Sequence, residues 1–335
     1  MARVALPEGV SSVENVPSTR KSLTNCFNVD GIVRGRPGIT EISDVGLVSR
    51  GQFVWNESLY QVVGTSLIKI TNLDTGTFST IGEILGEKNI RTAIGFNEAV
   101  IIVDGGNLYT LDSSDTLVDF TSNPNIVPCT DVAAINGRFV YIPDDGDVAF
   151  FSDVGDAATV QASSFFDAEE LPDKNSAVWN FNNTLYIGGT DSIELFRDTG
   201  ASPNPFTRVN GARISSGVLG KALDFTDTFM FVGRKKEQGF GIFVVGQGSA
   251  PKISNSYIDL ILTTYSQSDI GNVIPGRFNW RGYDIATFTF KNHSFGFLNG
   301  QWFILQSRSG ERTTPWTAGF ITQYGGVYYT CLLYT

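Results

Sequence analysis

Apolar and polar positions alternate over most of this chain in short runs, each broken by a polar turn of two or three residues, the pattern of antiparallel hairpins. The clearest copy runs Gln52-Phe53-Val54-Trp55, turns at Asn56-Glu57-Ser58 and returns as Leu59-Tyr60-Gln61-Val62-Val63. Three further copies turn at Asn97-Glu98, Asn136-Gly137 and Asn182-Asn183, and weaker ones at Thr226-Asp227, Lys291-Asn292 and Tyr324-Gly325. Anchors at 56, 97, 136, 182, 226, 291 and 324 are separated by 41, 39, 46, 44, 65 and 33 residues. The first four intervals fit a propeller blade of about 40 to 50 residues. After most hairpins a Gly-containing turn leads to a third strand, as in Gly64-Thr65-Ser66-Leu67-Ile68-Lys69-Ile70. One such meander leaves two apolar faces bare, so the units must stack around an axis to bury them. The pattern predicts an all-β protein, a β-propeller of about six or seven blades.

The 65-residue interval holds an excursion at about 235–277. Within it, apolar residues at 257, 258, 261 and 262 follow a short helix face, with a strand as the competitor because Thr263, Thr264 and Tyr265 follow. The expected organisation is an amino-terminal arm and first turn over 1–45, then a propeller over 46–335 interrupted by a short, partly helical excursion. The chain ends on an apolar, strand-like run from 328 to 335, which either closes the ring or leads into a longer parent.

Composition agrees with many short strands joined by tight turns: 36 glycines, 25 phenylalanines and only 17% charged residues among 335. The net charge of -10 disfavours a protein that grips DNA, though not a wall past which DNA slides. Cys26, Cys129 and Cys331 are far apart and lack metal-type spacing, so they are expected as free thiols. Residues 1–17 carry no apolar segment of signal-peptide type, and no run approaches the 20 or so apolar residues of a membrane span. A soluble chain made in a reducing cytosol is expected.

Catalytic chemistry is sparse. One histidine, His293, lies in an expected turn and reads as a solvated residue, which removes His-dependent triads and His-rich metal clusters. Neither phosphate-loop motif is present. Asp104, Asp145, Asp191, Glu194 and Asp284 are the carboxylates a propeller glycosidase would draw on, but Asp beside Gly-rich turns is explained by local hydrogen bonding. Asp144-Asp145-Gly146-Asp147 lacks the spacing of a calcium loop, so no metal or cofactor is expected. Gly35-Arg36-Pro37-Gly38 reads as a tight turn, and Arg234-Lys235-Lys236, the one basic run, as a hairpin tip.

Several patches resemble the packaged-DNA stabilisation, or tail-hub (nozzle), proteins of short-tailed podovirus phages. They are Gly35-Arg36-Pro37-Gly38-Ile39, Val48-Ser49-Arg50-Gly51 with the hairpin after it, Ile187-Gly188-Gly189-Thr190-Asp191-Ser192-Ile193-Glu194-Leu195-Phe196, Ser216-Gly217-Val218-Leu219-Gly220-Lys221, and Val245-Gly246-Gln247-Gly248-Ser249-Ala250-Pro251-Lys252-Ile253. They fall in the family's order and spacing over most of residues 35–270, while family members run longer at the carboxy-terminal end. The resemblance implies a virion tail protein, made in the bacterial host cytoplasm and not inserted in a membrane. It implies a hexameric ring below the portal and its adaptor that carries tailspikes or fibres and a needle or plug, and retains packaged DNA until ejection. DNA would pass its lumen without sequence recognition, and no catalytic residue or cofactor is implied. A carboxylate-dependent glycosidase and a cellular peptide-binding propeller remain the alternatives. The excursion interrupts the repeat, so it is the expected inter-subunit or adaptor contact, dispensable for the fold of the subunit. Its candidate interface residues are Arg234, Lys235, Lys236, Tyr257, Ile258, Ile261 and Tyr265.

Overall fold

The structure is a computed structural model that describes residues 23–333 apart from 43, 45, 168–172, 247 and 310. The reading of residues 1–17 lies outside these. A hairpin, β1 (Cys26–Val29) and β2 (Ile32–Gly35), comes first. Four blades of four antiparallel strands follow. Blade 1 holds β3 (Ser49–Trp55), β4 (Ser58–Val63), β5 (Ser66–Asn72) and β6 (Thr77–Glu83), and blade 2 holds β7 (Ile90–Ile94), β8 (Glu98–Val103), β9 (Leu108–Asp112) and β10 (Leu117–Asp119). Blade 3 holds β11 (Cys129–Ile135), β12 (Arg138–Pro143), β13 (Val148–Phe151) and β14 (Phe165–Asp167), and blade 4 holds β15 (Asn175–Phe181), β16 (Thr184–Gly189), β17 (Ile193–Asp198) and β18 (Phe206–Arg208). Blade 5 has three strands, β19 (Gly217–Phe225), β20 (Thr228–Lys235) and β21 (Gly239–Val244), followed by helices α1 (Ser256–Thr263) and α2 (Gln267–Gly271). Blade 6 has five, β22 (Ile274–Trp280), β23 (Tyr283–Thr289), β24 (Ser294–Leu298), β25 (Gln301–Ser309) and β26 (Arg312–Pro315). A two-stranded sheet, β27 (Ala318–Tyr324) and β28 (Val327–Leu332), sits between blade 6 and blade 1. The first strands β3, β7, β11, β15, β19, β22 and β27 contact one another in sequence and close the ring.

Turn chemistry explains the hairpins. Asn56-Glu57, Asn136-Gly137 and Asn182-Asn183 each place two successive residues at positive φ, the backbone that a two-residue hairpin loop requires and that Asn tolerates. Two expectations change. The first hairpin of blade 6 turns at Arg281-Gly282 (φ 53° and 85°), whereas Lys291-Asn292 joins its second and third strands, so the long interval shortens. Residues 35–38 are not a left-handed turn: neither Gly35 nor Gly38 has positive φ. Arg36 instead fastens this extended stretch, donating to Asn25 Oδ1 (3.1 Å), the Pro37 carbonyl (3.0 Å) and the Gln306 carbonyl (3.5 Å), with its guanidinium 5.5 Å from the Trp316 ring centre.

The core lies between blades. Where a sheet is covered on both faces, its second strand can be apolar almost throughout: Ala99, Val100, Ile101, Ile102 and Val103 of β8 are all buried, and Phe139, Val140, Tyr141 and Ile142 of β12 likewise. Facing sheets interlock large side chains, as where Phe166 stacks on Phe206 (4.9 Å) between blades 3 and 4, or Trp179 meets Phe229 edge-on (4.7 Å) between blades 4 and 5. Each such side chain contributes about 1.5–3 kcal/mol by leaving water.

The seam between β27–β28 and blade 1 differs. Among the described residues no buried apolar cluster spans it. Polar contacts do: Gln52 Nε2 donates to the Tyr329 carbonyl (2.8 Å), Gln61 Nε2 to Cys331 Sγ (3.1 Å), the Cys331 thiol to Gln52 Oε1 (3.0 Å), and Tyr324 Oη to the Glu57 carbonyl (2.6 Å). A cavity of about 600 Å³ lies beside this seam, lined by Ile39, Leu47, Ile68, Phe78 and Tyr328 among others. All three cysteines are free thiols.

Candidate interface and axial channel

The excursion expected over about 235–277 shrinks to the stretch between β21 and β22, because these two strands themselves belong to blades 5 and 6. The two helices cover blade 5 where the other blades carry a fourth strand. Asn255 caps α1 by accepting from the Ile258 N–H (3.0 Å), and Ser266 caps α2 by accepting from the Asp269 N–H (3.0 Å). The helix face read from the sequence is real but turns inward. Ile258 (0% exposed), Ile261 and Leu262 pack with Phe225, Met230 and Val232 of blade 5 and with Phe288, Phe295 and Trp302 of blade 6. The excursion is therefore part of the subunit's core, and removing it would strip that core bare.

The remaining residues of the expected interface are dispersed. Tyr257 is half-buried and meets Phe295 edge-on (6.4 Å, 90°). Tyr265 is half-buried, stacks on Phe290 (5.9 Å) and accepts the Asn292 N–H (3.1 Å) at its hydroxyl, which in turn lies 2.7 Å from His293 Nδ1. With the imidazole neutral, the hydroxyl and Nδ1 share this one hydrogen bond, its direction set by the tautomer. Burial lowers the His293 pKa and so favours the neutral ring. His293 is thus a half-buried clasp between the helices and blade 6, and not the solvated turn residue expected. Arg234 pairs with Asp191 across blades 4 and 5 (3.2 Å), and Lys235 sits 5.5 Å from the Phe243 ring centre. Lys236, at the tip of the β20–β21 hairpin, is exposed, as is Leu260 on the outer side of α1 (53%).

Each carboxylate singled out in the sequence has a partner. Asp104 accepts from the Thr130 hydroxyl (2.6 Å), Asp145 pairs with Lys174 (2.5 Å), Asp284 with Arg277 (3.5 Å), and the buried Glu194 with Arg208 (2.7 Å). Their geometry ties strands and neighbouring blades together. Among the described residues no group of three or more His, Cys, Asp or Glu side chains is placed to hold a metal, and no helix is long and apolar enough to cross a membrane.

Sequence reasoning missed the axial channel. All seven first strands line it, around a cavity of about 510 Å³. Arg91 of β7, Asp131 of β11 and Lys221 of β19 lie on its wall with Trp179 and Phe181 of β15. Asp131 is 5% exposed and accepts the Val178 N–H (2.9 Å); burial raises its pKa, against the pull of Arg91 and Lys221. Burial lowers the Lys221 pKa, with Arg91 adding to that shift and Asp131 opposing it.

These features define a propeller whose carboxylates and basic residues hold the ring together. The chain belongs to the family described as "Bacteriophage P22 Gp10, beta-propeller", whose sequence profile matches residues 15–331. A curated relative, the tail hub protein gp10 of Salmonella phage P22, is 22% identical over 315 residues. That match covers 88% of this chain, which spans 64% of the relative's length. Among solved structures the fold is similar to virginiamycin B lyase from Staphylococcus aureus (TM-score 0.51, 12% identity, 88% of this chain and 94% of that one). It is also similar to the extracellular domain of a hybrid two-component system protein from B. thetaiotaomicron (TM-score 0.52, 12% identity, 82% of this chain and 35% of that one). At such identities these two likenesses concern the fold alone.

Proposed function

We propose that the chain forms the propeller of a virion tail-hub subunit, a structural and non-catalytic role. The observation that carries this is the family match across residues 15–331, together with the tail-hub relative that aligns along 88% of the chain. Six such subunits would form a ring below the portal and its adaptor, retain packaged DNA, and carry tailspikes or fibres and a needle or plug. The channel of one propeller, about 510 Å³, has the size of a small-molecule site and not of a duplex, so the DNA path would run between subunits. The net charge of -10 supports passage without grip.

Contacts between neighbours would use the outer side of the excursion and the adjacent hairpin tip, Leu260 and Lys236, with the exposed edges of Arg234, Lys235, Tyr257 and Tyr265. Ile258 and Ile261 are already packed inside the subunit. The test is cryo-electron microscopy of the full-length protein mixed with portal bound to adaptor. A six-fold ring is expected, with Lys236→Glu and Leu260→Asp giving folded subunits that do not join it and wild-type attachment weakening as salt rises. Absence of the protein from purified virions would refute the hub role. Normal rings from both variants would refute the interface alone.

A further inference from the structure

One sheet of the ring is short of strands. β28 pairs with β27 alone, whereas every blade has three strands or more, so among the described residues the outer edge of β28 is open. The cavity of about 600 Å³ beside the seam runs along that edge. All of residues 327–331 line it, and a space against one face of the strand would meet only every second side chain. Leu59, Ile68, Ile70 and Phe78 of blade 1 form its opposite side, and the chain leading to β3 adds Ile39 and Ile42. Beside a second strand and against the neighbouring blade is where a third strand lies in the other sheets. Ile39, Ile42, Phe78 and Val327 stay exposed there, next to an edge whose backbone groups lack a partner strand.

The charges of this groove have one sign. Glu41, Asp44 and Asp74 line it, and among the described residues no Lys, Arg or His does. Its complement is an extended segment, apolar on one side and carrying a cation. Residues 1–22 precede the described chain, which starts at Leu23 in a buried cluster against which Tyr328 packs. Tyr328 also lines the groove, so the chain enters the structure close to it. Within residues 1–22, Ala2-Arg3-Val4-Ala5-Leu6 alternates, setting Val4 and Leu6 on one side and Arg3 on the other, with no carboxylate before Glu8. Val10, Val13 and Val16 are spaced by three and have Glu14 among them, so they lack that pattern. Residues 8–22 can span up to about 50 Å, enough to bring residues 2–6 to the groove. The family profile begins at residue 15, so this segment lies outside what the family match covers.

We propose that residues 2–6 dock in this groove as an added strand beside β28, with Val4 and Leu6 turned to blade 1 and Arg3 to the carboxylates, and so strap the seam of the ring. Pro7 lacks an N–H and would end the pairing. The contact lies within one subunit and does not depend on assembly into a larger ring, so it is tested on the full-length chain alone. Hydrogen exchange by mass spectrometry follows the amides of residues 327–332, every second one of which points to the open edge. Deleting residues 2–7 should speed the exchange of those outward amides about tenfold or more and leave blades 2 to 4 unchanged. A synthetic peptide of residues 1–9 at about 2 mM, matching the effective concentration of the tethered segment, should restore the protection, and a scrambled peptide should not. Should the deletion fail to fold by circular dichroism, Leu6→Asp takes its place with the same expected loss. Equal exchange of 327–332 in wild type and in a folded variant would overturn the proposal. Protection by the scrambled peptide would overturn it too, as would protection in the variant that grows with subunit concentration, which would give the groove to a second copy of the chain.

Discussion

Ile258 decides whether the helical excursion serves the subunit or its neighbour. The structure buries this side chain completely between blades 5 and 6. Ile258→Ala removes three carbon atoms, about 2.4 kcal/mol of transfer free energy at 0.8 kcal/mol per methylene. The surrounding aromatics relax little, because Phe288 and Phe295 are paired to a strand on each side and the Trp302 indole N–H donates to the Ile253 carbonyl (2.7 Å), so a residual cavity adds to the loss. The expected total is about 3–4 kcal/mol, within the range for large-to-small core substitutions. Leu260→Ala, two residues away on the same helix and 53% exposed, is the matched control and should stay within about 0.5 kcal/mol of wild type. Urea denaturation of the isolated subunits, followed by far-ultraviolet circular dichroism, measures both. An Ile258→Ala subunit as stable as wild type would refute the packing argument. If that variant also failed to enter the ring, the inward face of α1 would have to be reassigned to a subunit contact.

Three further outcomes are expected. Asp115 lies between Tyr60 Oη (2.5 Å) and Lys69 Nζ (2.7 Å); burial pushes its pKa up, but the hydrogen bonds from Lys69 and Tyr60 prevail and the net shift is downward. Its stabilisation is therefore present above the unfolded value of about 3.9 and lost as pH falls through the folded one, so the melting-temperature gap between wild type and Asp115→Asn should close from about pH 5 to about pH 2. Glu194→Gln leaves Arg208 without its partner at 2.7 Å and should cost about 3 kcal/mol in denaturation, while an unchanged midpoint would show the pair to be dispensable. Burial pushes the Cys331 thiol up to about 12, so in a Cys26→Ser, Cys129→Ser background iodoacetamide at about pH 8 should label it only as fast as the seam opens. Labelling as rapid as that of a free thiol would contradict a closed seam.

The hairpins were legible because their loops use residues that tolerate positive φ. Asn56, Asn136 and Asn182 announce themselves, whereas Arg281 and Thr226 adopt the same backbone (φ 53° each) without the usual side chain. The turn of blade 6 at Arg281-Gly282 carries no Asn to mark it. Outer strands such as β6 escaped notice because one face is exposed to solvent and Thr77-Phe78-Ser79-Thr80 shows no alternation of burial. The helix at 256–263 was readable from its apolar spacing, but spacing cannot say whether the apolar side turns to a neighbour or to the chain's own blades. Arg91, Asp131 and Lys221 lie 130 positions apart at the extremes and are brought to one cavity only by ring closure. The signal that was present is local: a charged residue after glycine in an otherwise apolar strand, Val218-Leu219-Gly220-Lys221-Ala222-Leu223.

The seam gives the ring the mechanics of a split washer. Pulling two adjacent blades apart elsewhere exposes interlocked aromatic side chains to water, and resistance grows with the area uncovered. At the seam the load falls on side-chain hydrogen bonds made by Gln52, Gln61, Tyr324 and Cys331, which water replaces as they break. Stiffness around the circumference is therefore uneven, with one compliant joint in an otherwise rigid band. Under tension the band yields at β27–β28 first, the remaining blades stay stacked, and the same joint can reseal when the load is removed.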